Sequence, residues 1–186
     1  MERKKLLIAD DSEMNRAILA NMLEQDFEIM EVSDGKEALA ALQIYRKDLS
    51  ALLLDIVMPE MDGFQVLEEM KQRQWLEDVP TVMISAETGS GYIDRAFELG
   101  AVDYINRPFS ATVVRQRIIN TIQLYAKQRR LSAMAADLAF EKERASRMMI
   151  GILSPVVEKR NGESRDHVQR VAQLTSMLLA GLAQKT

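Results

Sequence analysis

The sequence predicts a doubly wound α/β domain, with a five-stranded parallel sheet and helices on both faces. A long helix and a short helical C-terminal segment follow it. Three observations carry this reading. Short apolar runs alternate five times with stretches of helical periodicity, the pattern of strands joined by crossover helices. Three of the five runs are unbroken, as strands buried on both faces are. From Ser110 to Ile150 there is neither glycine nor proline, so a helix begun after the fifth strand has nothing to stop it.

In chain order, residues 5–9 (KLLIA) form the first strand and end in Asp10-Asp11, with Ser12 placed to cap the next helix. Met14, Ile18, Leu19, Met22 and Leu23 recur at helical spacing. Residues 27–32 (FEIMEV) alternate as a strand, and Asp34-Gly35 reads as a turn. Ala38, Leu39, Ala41 and Leu42 make a helical face. Residues 51–54 (ALLL) form the third strand, ending in Asp55. Pro59 and Gly63 bracket a loop, and a polar helix is expected to about Arg73. Residues 81–84 (TVMI) lead to Ser85-Ala86. A helix over about 91–99 closes at Gly100, a natural C-cap. Residues 102–105 (VDYI) form the fifth strand, stopped by Pro108.

Composition narrows the function classes. A hydrophobic fraction of 47% in 186 residues excludes a disordered chain. The absence of cysteine excludes a disulfide scaffold and a zinc–cysteine site, and a single histidine argues against a histidine-built metal centre. No apolar run approaches the roughly 20 residues of a membrane span. The opening MERKKLLIADDSEM has an acidic pair where a signal peptide carries its apolar core, so a cytoplasmic location is expected. The net charge of −4 hides a gradient: residues 1–110 carry 11 basic and 22 acidic side chains, residues 111–147 carry 8 and 3, and 148–186 carry 5 and 3. An acidic first module repels phosphate backbones, so nucleic acid is not its expected partner.

The functional groups of such a sheet gather beyond the carboxyl ends of its strands. Asp10 and Asp11 follow the first strand and Asp55 ends the third, so three carboxylates can converge on one edge. Like charges this close are costly without a cation, and hard oxygen donors suit Mg²⁺. Ser85, after the fourth strand, adds a hydroxyl, and Arg107, after the fifth, adds a cation. Three acids, a hydroxyl and a cation in that order fit a phosphoryl site. The metal neutralises charge, Asp55 attacks, and Ser85 and Arg107 receive the phosphoryl oxygens. The competing reading is that the loop acids only cap helices.

With LIADDSEMNR, LLLDIVMPEMDGF, VMISAE, Tyr104 and Arg107-Pro108-Phe109 in place, residues 1–125 resemble the receiver domain of bacterial two-component response regulators. The resemblance implies a flavodoxin-like fold, with phosphorylation of Asp55 by the phosphohistidine of a histidine kinase or phosphotransfer protein. It implies Mg²⁺ held by Asp10, Asp11, Asp55 and the backbone carbonyl of Val57. Ser85 would move toward the phosphoryl group, Tyr104 would rotate inward behind it, and the surface of the fourth helix, fifth strand and fifth helix would change its partners. The Arg107-Pro108 peptide would be cis. By position alone, Tyr104 reads as a half-buried strand aromatic. The family's lysine is replaced here by Arg107, planar and forked. It can clamp a phosphoryl oxygen in bidentate fashion, or stand farther out and weaken the switch.

Beyond the receiver, Leu124, Gln128, Leu131, Ala135, Leu138, Lys142, Ala145, Met149 and Ile152 follow one another at alternating steps of four and three. Seven of the nine are apolar, a coiled-coil seam with two polar interruptions. A dimer through this helix is expected; a long helix lying on its own domain is the alternative. The last segment reads as a short helix (GILSPVVEKR), a glycine-containing loop, and an apolar-faced helix after His167. RDHVQRV is similar to the opening of HD-GYP phosphohydrolase domains, which cleave cyclic di-GMP. There a histidine in this setting is a metal ligand, but one histidine cannot by itself build a two-metal hydrolase, and for this chain His167 reads as an ordinary helix-surface residue, a ligand only in a complete output domain.

The expected division is thus 1–112 receiver, 113–150 helical linker, and 151–186 the start of an HD-type output domain. The expected function is a phosphoacceptor switch that signals through a dimeric helix and is not itself an enzyme. The alternatives are the regulatory part of a cyclic di-GMP phosphodiesterase and, last, a DNA-binding regulator supported only by the basic stretch 115–147.

Overall fold

The structure is a computed structural model that describes residues 4–87, 89–108, 110–161 and 169–177. The chain divides into two units, Met1–Gln128 and Arg129–Thr186. In the first, the elements alternate as expected: β1 (Lys4–Ala9), α1 (Glu13–Leu23), β2 (Phe27–Val32), α2 (Gly35–Tyr45), β3 (Leu49–Asp55), α3 (Gly63–Gln72), β4 (Thr81–Ser85), α4 (Ser90–Leu99), β5 (Asp103–Asn106) and the start of α5 (Ala111–Asn161). The strands are all parallel, in the order β2-β1-β3-β4-β5. The order reverses between β1 and β3, and there the crossovers diverge to opposite faces and open a crevice.

Period-two alternation divides the core in two. Leu7, Ala9, Leu52, Leu54, Met83 and Tyr104 face α2, α3 and α4, where Leu42, Phe64, Leu67, Met70 and Ala96 meet them. Leu6, Ile8, Leu53, Val82, Ile84 and Ile105 face α1 and α5, meeting Leu19, Leu23, Val114, Ile118 and Ile122. Val114, Ile118 and Ile122 recur every four residues, one stripe of α5, and each fully buried aliphatic contributes about 1.5–3 kcal/mol.

The local signals hold with three adjustments. Ser12 caps α1, its side chain accepting from the Asn15 N–H, and Gly100 ends α4 at φ 106°. Asp34-Gly35 opens α2 rather than making a separate turn, because the Asp34 side chain accepts from the Glu37 N–H and caps the helix. The helix expected to be polar, α3, buries Phe64, Val66, Leu67 and Met70, and its polarity is confined to the outer face. Its start is fixed by a capping box between Asp62 and Gln65. A 3₁₀ turn over Trp75–Glu77, not foreseen, brings the Trp75 ring to the guanidinium groups of Arg46 and Arg73, 5.5 Å and 4.9 Å from its centroid.

In the second unit, α5 continues without a break at 150–151 to Asn161, so GILSPVVEKR is the end of the long helix and not a separate one. Gly151 costs a helix only about 1 kcal/mol relative to alanine, too little by itself to end one. Residues 169–177 are helical, while residues 162–168, His167 among them, lie outside the described residues, and with them the loop expected there. No described helix is long and apolar enough to cross a membrane.

Candidate functional site

Strand register assembles the site. Ala9 pairs with Leu54, so the next residues, Asp10 and Asp55, stand side by side at the carboxyl edge. Asp55 pairs with Ile84, one residue before Ser85, and Ser85 pairs with Asn106, one residue before Arg107. Asp10, Asp55, Ser85 and Arg107 are thus each the last residue of a strand or the one beyond it. Asp10, Asp11 and Asp55 each offer a carboxylate oxygen within 4.8 Å of the others. Asp10 and Asp55 are buried at 1% and 3% exposure, and Asp11 is exposed.

Burial pushes the Asp55 carboxyl up to about 6 from the ordinary 3.8, against the pull of the Arg107 guanidinium and with the neighbouring Asp10 charge adding to the rise. Its carboxylate also accepts from the Ile56 N–H at 2.8 Å. Asp10 is held by the Ser12 N–H at 3.0 Å and the Asn15 amide at 3.2 Å. Arg107 bonds to Asp10 and lies 3.2 Å from Asp55. The forked side chain therefore reaches inward to both buried acids.

Ser85 and Tyr104 meet at one backbone unit. The Glu87 N–H donates to the Ser85 hydroxyl oxygen at 3.1 Å, and the Tyr104 hydroxyl donates to the Glu87 carbonyl at 2.7 Å. Tyr104 is 7% exposed and already turned inward, more buried than its position alone suggested. Burial pushes its phenol up, opposed by a hydrogen bond with Ser85. The Arg107-Pro108 peptide is cis. Val57 is exposed just past β3; Phe109 and His167 lie outside the described residues.

Three supporting residues escaped the sequence reading. Asn15 orients Asp10, and Arg16 donates to the carbonyls of Asp10 at 2.8 Å and Asp11 at 3.2 Å. Both sit on the first turn of α1, where polar residues following an acidic strand end were the available signal. Gly63 seats α3 on the end of β3: its N–H donates to the Ile56 carbonyl at 2.9 Å. A Cβ there would stand 2.1 Å from the Asp55 carbonyl oxygen.

Comparison with known proteins agrees with this geometry. The chain is 31% identical over 185 residues to a probable cyclic di-GMP phosphodiesterase of Vibrio cholerae, an alignment covering 96% of this chain and 42% of that one. It spans about half the length of several other curated relatives. Among solved structures, a putative two-component system response regulator/GGDEF domain protein matches with TM-score 0.63 and 26% identity, over 67% of this chain and 51% of that one. The signal receiver domain of a putative LuxO repressor from Vibrio parahaemolyticus matches with TM-score 0.64 over 70% of this chain and 98% of that one; at 18% identity it speaks for the fold alone. Residues 6–119 match the response regulator receiver domain family, and with its sheet order and strand-end acids the chain belongs to that family.

Proposed function

We propose that Asp55 is the phosphoacceptor of a cytoplasmic phosphorelay. An Asp55 carboxylate oxygen attacks phosphorus, the P–N bond to the imidazole of a histidine kinase or phosphotransfer protein breaks, and the imidazole keeps the electron pair. The observation that carries this is the convergence of Asp10, Asp11 and Asp55. Three hard oxygen donors, two of them buried, fit Mg²⁺, and Asp10, Asp11, Asp55 and the Val57 carbonyl would hold it. When bound, the ion supplies neutralisation of charge on the phosphoryl oxygens. Arg107 and Ser85 bind phosphoryl oxygens, and Tyr104 holds the β4–α4 connection through Glu87. The test is labelling with acetyl phosphate and Mg²⁺. The wild-type chain takes up one phosphoryl group and Asp55→Asn takes up none; undiminished labelling of the variant refutes the assignment.

In this reading residues 1–112 are the receiver, 113–150 a linker that dimerises, and 151–186 the start of an output domain. That output reading is supported by the alignment to the Vibrio cholerae protein, which extends over 96% of this chain and so past the receiver. The switch then regulates a cyclic di-GMP phosphodiesterase, with His167 a metal ligand of the complete output domain. Hydrolysis of cyclic di-GMP by a chain carrying that domain, and its change on phosphorylation, tests this. A DNA-binding output has only the basic stretch of α5 behind it.

A further inference from the structure

From 131 to 153 every residue of α5 is exposed. One stripe of it is aliphatic: Leu131 (58% exposed), Leu138 (68%), Met149 (66%) and Ile152 (62%), with Ala135 and Ala145 between. The charged residues Arg129, Arg130, Asp137, Glu143, Arg144 and Arg147 fall off that stripe, and the Arg147–Glu143 ion pair lies among them. Written as a heptad, Leu131, Leu138, Ala145 and Ile152 are d positions and Ala135, Lys142 and Met149 are a positions. Lys142 is therefore a charge in the middle of an apolar seam. The residues one turn from it on its own helix, Leu138, Ala139, Ala145 and Ser146, offer no carboxylate. Its neutralisation has to come from elsewhere.

We propose that residues 131–152 of α5 pair with the same segment of a second copy as a parallel, in-register coiled coil, its direction set by Lys142 of each copy against Glu141 of the other. Glu141 is the g position immediately before Lys142. In a parallel pair each a side chain inserts into a hole of four facing residues, and the facing g residue forms part of its wall. Lys142 then meets Glu141 of the partner subunit twice, related by the two-fold axis, and the two lysines that face each other are balanced by two carboxylates. In an antiparallel pair a positions face d positions, and Lys142 would be set against an aliphatic side chain. A buried charge with no partner is penalised, so the same residue that weakens the seam selects its direction and register.

This rests on the dimeric linker proposed above and adds its orientation. The chain has no cysteine of its own, which makes disulfide mapping unambiguous. In the full chain, Leu131→Cys and Met149→Cys, a d and an a position that face each other in an antiparallel pair, are each expected to close an interchain disulfide on mild oxidation. Disulfides that form only when the two variants are mixed would overturn the parallel arrangement and leave self-association standing. A monomer by sedimentation at tens of micromolar would overturn both. Lys142→Glu and Glu141→Lys are each expected to weaken self-association about tenfold through loss of two ion pairs, with helix content by circular dichroism unchanged. The double exchange restores it to within about threefold; failure of the double variant to recover refutes the Lys142–Glu141 pairing.

Discussion

Asp55→Asn is expected to stabilise the metal-free protein at neutral pH. The Asp55 carboxyl is 3% exposed and pushed up to about 6, chiefly by burial. In the unfolded chain it returns to 3.8. Between these values the folded protein binds the proton more tightly than the unfolded one, so this group makes stability fall as pH rises from about 4 through 6. Above pH 6 the full cost is present. About two units at 1.36 kcal/mol each give a ceiling of about 3 kcal/mol. Asparagine mimics the neutral acid and escapes that cost. Urea unfolding followed by circular dichroism in EDTA, at half-unit steps from pH 4.5 to 8, reads the difference between variant and wild type. It should open through pH 5–6 in favour of the variant, reach about 2–3 kcal/mol, and stay flat above pH 7. Adding Mg²⁺ at tenfold its dissociation constant should return about 1.4 kcal/mol to the wild type alone. A variant less stable than wild type at pH 7.5, or a difference independent of pH, refutes the claim that a buried, charged Asp55 is maintained at the expense of folding.

The supporting residues give two further expectations. Gly63→Ala puts a Cβ 2.1 Å from the Asp55 carbonyl oxygen, a clash that only backbone movement relieves; a loss of about 1–3 kcal/mol by urea unfolding and shifted amide resonances at Asp55 and Ile56 are expected, and a wild-type spectrum would contradict the close seating of α3. Arg107→Ala removes the cation that holds the Asp55 carboxyl down, so its titration midpoint, followed by carboxyl carbon resonance, should move above 6 and the pH-dependent loss of stability should extend to higher pH. An unmoved midpoint would mean that Arg107 does not sense Asp55.

Much of the architecture was legible in the chain because it is written locally. The apolar runs before Asp55 and Ser85 read as strands buried on both faces, and the periodicities around Leu19 and Leu42 read as amphipathic helices. The strand-end order of Asp10, Asp55, Ser85 and Arg107 was equally legible, since in a parallel sheet the last residue of each strand has its place along one edge. Less legible were the interior of α3, whose charged outer residues mask Phe64 and Met70, and the end of α5, where Gly151 reads as a breaker and is not one.

Sequence by itself determined the fold class, the acidic edge and the identity of its acids, because strand length, turn chemistry and side-chain type are properties of short segments. Only the tertiary structure decided that Ala9 pairs with Leu54, that Arg107 turns inward onto Asp10 and Asp55, and that Tyr104 and Ser85 share the backbone of Glu87. Those are distances between residues far apart in the chain. They follow from register and from which charges burial forces together, and neither is encoded in any one stretch of residues.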